Sequence, residues 1–413
     1  MRNRPLRVYL DSSDYSVLSN SRKMTSEHEG IRARLLEYSR SGDVEFRYSA
    51  AHICEMAPVA PEATENAVAR TQFMVELCGS RCFRSLPDII QEEKKVFLKG
   101  LGGIACTTSD AGDWFPPIEA VFEPLRIRQG GHLERRFQTE VEGWGCNRKQ
   151  RRLVARRCIK NGVFRHGIEQ SLLEGAKNNI QEILRSYPMQ ENHALTLWRF
   201  VMGKATETQA KNAFLASLRD PVWMTRWFIN HFDQMSPVGR WFREPSEKVY
   251  RAVSEARDAA QHVRRQYEAA GLDFTKISGI DDVRTVENLE KFLLEMFTTF
   301  GFTSPNGEGL NIDSLKSLRQ AAPGLSTMLE VAVAIGFSSM RPSPRNPLES
   351  DFVDVAHAIY APYVDIFRAD SFMAPIVKRA LNLTGTRVEG KLRGVIPAIE
   401  TGLVAQQFSQ QQN

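Results

Sequence analysis

The sequence predicts an α/β protein: a parallel sheet assembled from both ends of the chain and interrupted by a large all-α insertion. Three observations carry that expectation. The first ninety residues alternate short β-rich runs with helical stretches, the pattern of a parallel sheet. Strand signals then vanish between residues 106 and 342, where helical periodicity dominates. After a proline-rich break at 338–347, α/β alternation returns. Segments 1–105 and 343–413 are therefore assigned to one sheet domain and 106–342 to a helical insertion, which a surface point with close-lying ends tolerates.

In chain order, Arg7 to Leu10 is a β-rich run that breaks into a loop at Asp11 to Asp14. An amphipathic helix opens at Ser26, carries Ile31, Leu35, Leu36 and Tyr38, and closes at Ser41-Gly42. Val44 to Tyr48 alternates as a second strand and runs into a helix for which Ser49 is the N-cap candidate. Pro61 to Leu77 reads as a further helix and Arg81 to Ser85 as a third strand. Helical stretches follow at 193–202, 211–218, 223–232, 248–269, 286–297, 312–321 and 325–335. Beyond the break, 351–360 is helical, 364–368 strand-like and 373–381 helical. Val388 marks an edge strand, 392–403 a last helix, and 406–413 a frayed end.

A chain of 413 residues exceeds what one core usually serves, which favours more than one domain. No apolar run approaches a membrane span, since 325–337 is too short and carries Glu330. The basic start lacks the apolar core of a signal peptide, so a soluble, cytoplasmic protein is expected, with no membrane partner. Six scattered cysteines form no zinc-ligand spacing and read as reduced thiols. The net charge of +5 admits a polyanionic partner but is too small for a dedicated nucleic-acid binder.

Acidic residues fall where a parallel sheet exposes them. Asp11 follows the first strand and Asp370 the strand 364–368, and ligands bind at the carboxyl ends of such strands. Glu55 lies in the helix after strand two, and Asp351 and Asp354 share one face of a later helix. Converging carboxylates repel one another and raise their own pKa values. A hard divalent cation such as Mg²⁺ or Mn²⁺ removes that cost and suits oxygen ligands, whereas zinc would want Cys or several His. Each residue also has a plainer use: Asp351 as a helix N-terminal charge, Asp14 as a cap, Asp365 as a surface strand residue, Glu55 as a solvated carboxylate.

The segments Val8 to Asp14, Tyr48 to Glu55, Asp351 to Ala358 and Asp365 to Asp370 together resemble the PIN-domain nucleases in content and order. The shared features are a hydrophobic strand ending in Asp11-Ser12-Ser13, a helix capped by Ser49 and carrying Glu55, a helix-opening aspartate, and a strand ending at Arg368-Ala369-Asp370. The resemblance implies a PIN-like fold and a metal-dependent endonuclease, with Asp11, Glu55 and Asp370 as ligands and either Asp351 or Asp354 as the helix carboxylate. Ser13, Asp14, Ser49, His357 and Asp365 stand in supporting positions. His357 forms an Asp354-x-x-His357 pair that simple members lack, and either touches a phosphate, orients a carboxylate or packs. Two departures are evident: Arg368 stands where Thr or Ser is usual, and the insertion is very long.

Within the insertion, Arg148, Lys149, Arg151, Arg152, Arg156, Arg157 and Lys160 place seven cations in fourteen residues. They suit phosphate contacts, or form a solvated helix face. Trp223 and Trp227, with Trp198 and Trp241, offer base stacking or core packing. The leading expectation is a Mg²⁺- or Mn²⁺-dependent endonuclease acting on RNA before DNA, of toxin or phage-defence type, open to a protein inhibitor or activator and of unspecified oligomeric state. The competing expectation is a catalytically inactive PIN-like module that binds RNA or protein through its helical insertion. An aspartyl phosphotransferase would need an Asp-x-Asp spacing that Asp11 and Asp14 do not have.

Overall fold

In the computed structural model, β1 (Leu6–Tyr9) passes almost directly into α1 (Ser12–Ser19). The loop expected at 11–14 is instead a helix start. The Asp11 carboxylate accepts from Ser13 N, and Asp14 returns a bond to Asp11 N, a capping box that satisfies the free N–H groups of the first turn. The structure describes residues 4–22, 24–57, 64–100, 105–115, 147–160, 163–165, 187–201, 204–231, 265–271, 286–304, 309–339, 349–381 and 384–411, with short stretches and single positions between 167 and 262.

Next come α2 (Ser26–Ser41), β2 (Val44–Phe46), α3 (Ala50–Met56), α4 (Thr64–Cys78) and β3 (Cys82–Phe83). α2 ends on Gly42 with φ +80°, the left-handed conformation that glycine adopts without penalty. α5 (Leu86–Leu98) has no counterpart in the sequence expectations, although Ser85 caps it and Pro87 stands in its first turn. β4 (Thr108–Ser109) pairs antiparallel with β3. α6 (Arg148–Cys158) leads to the hairpin of β5 (Ile159–Lys160) and β6 (Val163–Phe164). Strands therefore do occur within 106–342, but two-residue ladders are too short to show alternation.

The helices α7 (Glu191–Val201), α8 (Glu207–Leu218), α9 (Pro221–Asn230), α10 (Val286–Thr299), α11 (Ser314–Ala321) and α12 (Pro323–Ser339) follow the helical reading closely. The stretch 248–264 of an expected helix, the break from residue 340 on, Trp241 and Cys146 lie outside the described residues, apart from single positions. At the C-terminal end stand α13 (Glu349–Ala358), β7 (Ile366–Arg368), α14 (Met373–Ala380), β8 (Arg387–Glu389) and α15 (Val395–Gln411). The expected frayed end is helical as far as Gln411. No helix among the described residues is long and apolar enough to cross a membrane.

The sheet is wholly parallel, in the order β2-β1-β7-β8, with Val8 opposite both Phe46 and Ile366. N-terminal strands β2 and β1 thus join C-terminal strands β7 and β8 in one sheet, as the sequence predicts. Because all four strands run the same way, the segments that follow β1, β2 and β7 emerge at one edge. A parallel bridge between Tyr48 and Cys82 extends that edge towards β3.

The chain forms two compact units: residues 1–56, 65–116 and 243–413 in one, 57–64 and 117–242 in the other. The sheet unit is thus larger than the two end segments assigned to it from sequence. Its core joins Tyr9, Phe83, Phe367 and Tyr360 to Leu293 and Phe297 of α10, Leu318 of α11 and Leu325 of α12. In the second unit α7 packs on α8, and α9 turns its indoles inward. Trp223 Nε1 donates to Pro188 O (3.2 Å) and Trp227 Nε1 to Leu184 O (2.9 Å), so both tryptophans serve packing in this structure.

Candidate active site

The parallel register sets Tyr9 beside Phe367, and Asp11 and Asp370 follow just beyond the carboxyl ends of the adjacent strands β1 and β7. Asp11, Asp354, His357, Tyr9, Arg368 and Ala369 line one small pocket at this edge, floored by Phe367, Met373 and Val377. Asp11 is held by its own helix: its Oδ1 accepts from Ser13 N (2.8 Å) and Ser13 Oγ (2.5 Å). Asp370 Oδ1 accepts from Met373 N (2.6 Å) at the start of α14. Glu55 on α3 is held by a pocket residue, its Oε2 accepting from His357 Nε2 at 3.0 Å.

Asp354 senses this crowd most strongly. Burial, together with the carboxylates of Glu55, Asp11 and Asp370 and against the pull of His357, pushes its pKa up to about 8. Burial also disfavours charge on Glu55, but the His357 imidazole beside it wins, and its pKa lies below the ordinary carboxylate value. His357 mirrors this: burial opposes its charge, yet Glu55, with Asp354 and Asp11, raises its pKa. Of the two candidates on α13, Asp354 lines the pocket, while Asp351 is buried one turn earlier.

Behind the pocket runs a buried hydrogen-bond chain that the sequence reading does not contain. His357 Nδ1 lies 2.5 Å from Tyr9 OH, and Tyr9 OH 2.6 Å from Ser49 Oγ. His52 Nδ1 accepts from Ser49 N (3.1 Å) while its Nε2 donates to Leu10 O (2.9 Å). Those partners fix the neutral tautomer of His52, and burial, with the nearby His357, takes its pKa down to about 3. Ser49, expected as a helix cap, thus holds Tyr9 as well. The signal was spacing: His52 and Glu55 are three apart on one helix face, Tyr9 and Asp11 two apart on one strand.

Asp14 is also buried, and its partner comes from the far end of the chain: Arg368 Nη2 lies 3.1 Å from Asp14 Oδ1. Burial raises Asp14 to a pKa of about 7, with Arg368 working against that rise. Arg368 Nη1 donates to Ala369 O. Asp365 is not brought to the pocket; it starts β7 at the other edge, where it binds Arg4 and accepts from Arg7 N (2.8 Å). The cations of α6 lie in the second unit, with Arg148, Lys149, Arg152, Arg156 and Arg157 exposed and Arg151 half-buried.

Among the described residues no three His, Cys, Asp or Glu side chains form a ready-made metal site. The hydrogen bonds above give the reason: Glu55 is drawn to His357, Asp11 to Ser13 and Asp370 to Met373 N. The chemistry of the donor set nevertheless fits a hard cation, because the donors are carboxylate oxygens and burial, together with the charges of Glu55, Asp11 and Asp370, raises the proton affinity of Asp354, an imbalance that a divalent ion relieves.

No protein family's profile matches the chain, and neither a curated protein nor a solved structure matches it. The fold defines an α/β protein whose parallel four-stranded sheet is built from N- and C-terminal strands with intervening helices.

Proposed function

We propose that this protein is a PIN-like, metal-dependent nuclease that hydrolyses phosphodiester bonds, with RNA preferred to DNA. The observation that carries the reading is the pocket that Asp11 and Asp354 share at the carboxyl edge of a parallel sheet, where burial, and then the charges of Glu55, Asp11 and Asp370, drive Asp354 towards its protonated form. Asp11, Asp354 and Asp370, joined by Glu55, would hold Mg²⁺ or Mn²⁺. A bound ion would act as a Lewis acid on the scissile phosphate and activate the attacking water.

The chain's own residues do the rest. The Ser13 and Met373 bonds fix the carboxylates of Asp11 and Asp370 on the ends of neighbouring strands. His357 holds Glu55 and is in turn seated by Tyr9 and Ser49, which sets its ring plane. Phe367, Met373 and Val377 form a dry floor that strengthens electrostatic interactions above it. A toxin-like or phage-defence role belongs to this reading as an expectation drawn from the resemblance alone.

The test is cleavage of labelled single-stranded RNA and DNA by purified protein with Mn²⁺ or with EDTA, beside Asp11→Asn and Asp370→Asn. Cutting that needs the ion, and that falls about 100-fold or more in both variants, is expected. Undiminished cutting in both variants would remove the reading.

A second reading has an observation of its own. Arg368 fills part of the pocket where the PIN pattern has a small hydroxyl residue, and no ready-made ion site is present among the described residues. On that reading the protein is a catalytically inactive module that binds RNA or protein. It wins if wild-type protein binds RNA equally well with EDTA and never cuts it.

A further inference from the structure

We propose that Arg368 grips a non-bridging oxygen of the substrate phosphate, in the pocket that it shares with Asp11 and Asp354. The assignment rests on the hydrolase reading above and names the group that receives the anion.

Arg368 ends β7, is only 8% exposed and lines the pocket. Two of its nitrogens are used, Nη2 on Asp14 Oδ1 and Nη1 on Ala369 O. Its Nε is buried and has no hydrogen-bond partner among the described residues. A buried donor left unpaired is uncommon and costs about 1–3 kcal/mol, more when it is charged. A guanidinium fork with one N–H unused is suited to a planar or tetrahedral oxyanion, whereas an ammonium has no such fork.

The charge layout supports the same assignment. Asp14 pairs with the guanidinium of Arg368 and, by holding Nη2, restricts the orientation of the fork. Asp11 and Asp354 line the same pocket, so an anion alone would be repelled there. An anion arriving with a divalent ion would not be, because Asp11 and Asp354 would hold the ion and its charge would offset theirs. Phosphate binding should therefore require the cation.

The experiment titrates inorganic phosphate into the full chain by calorimetry, with and without saturating Mg²⁺. Wild type is compared with Arg368→Lys, which keeps the charge and loses the fork. A second variant, Arg368→Gln with Asp14→Asn, leaves no buried charge uncompensated. Phosphate should bind wild type only when Mg²⁺ is present, and should bind both variants about tenfold or more weakly. Mg²⁺ affinity should stay within about threefold of wild type in both, with cooperative melting retained.

Equal phosphate affinity in a folded variant overturns the proposal, as does a wild type that binds no phosphate. A parallel loss of Mg²⁺ affinity also overturns it, since Arg368 would then organise the ion site. RNA cleavage by the same samples separates the two readings. Mg²⁺-dependent cutting with unchanged phosphate affinity keeps the nuclease and discards the role of Arg368. Phosphate binding lost in both variants, with no cutting by wild type, keeps the role of Arg368 and discards the nuclease.

Discussion

Glu93 ties α5 to the helix that packs against the site's own helix. It is fully buried, its two oxygens accept from Gly324 N (2.6 Å) and Leu325 N (3.1 Å) at the start of α12, and Tyr363 OH also donates to it. The approach is so close that a Cβ on Gly324 would lie 2.7 Å from both Glu93 Oε1 and Ile359 O. Burial outweighs these donors and raises the Glu93 pKa from 4.5 to about 7. A raised carboxyl favours the folded state in its protonated form. Its contribution is full below pH 4.5 and is lost as pH climbs through 7. At about 1.4 kcal/mol per pH unit, the stability that wild type gains over Glu93→Gln should shrink by roughly 3 kcal/mol across that window. Urea unfolding of both proteins from pH 4 to pH 8 checks it, and a constant difference would sink the idea.

At the scale of elements, most strands and helices were legible because their periodicity is local. Val44–Phe46 alternates, α2 shows its apolar stripe and its terminal glycine, and β7 is followed by Asp370 as expected. α5 was not legible, because its buried face includes Glu93, which looks solvated until its partners from residues 324, 325 and 363 are present. The pairing of Asp14 with Arg368 was hidden for the same reason. The four site carboxylates were legible as strand-end and helix residues, but the Tyr9–Ser49–His52 chain behind them depends on packing between elements. Likewise nothing local in α10 to α12 reveals that they join the core of the sheet unit.

α6 is the element with the plainest electrostatic consequence. Arg148, Arg152 and Arg156 recur every four residues on one face, and Leu153 is 54% exposed beside them. Among the described residues these three arginines form no ion pair. If α6 contacts a single strand, replacing all three with Gln should lower RNA affinity and reduce the slope of log K against log salt by about 2, at roughly 0.7 per phosphate contact. Fluorescence anisotropy between low and moderate salt measures it. An unchanged slope would leave α6 as a solvated face.

For the whole molecule, the central strand is β1, and it lies between a partner from residues 44–46 and one from residues 366–368. Arg7 N reaches the Asp365 carboxylate, and Asp365 N reaches Arg7 O, so the two chain ends are bonded directly at the start of the sheet. A chain ending at residue 342 would leave Val8 and Tyr9 without Ile366, Phe367 and Tyr360 beside them. It should show no cooperative unfolding transition in urea, whereas the full chain should show one.

That strand order also has a meaning in time. The ribosome makes Asp370 359 residues after Asp11. At about 5–20 residues per second, roughly 20–70 s separate the two during synthesis. Throughout that interval the nascent chain has β1 without β7, and the pocket lacks the lining from Phe367 to Ala369. A fragment released before residue 366 lacks the same lining, so the pocket exists only once both strands have been made.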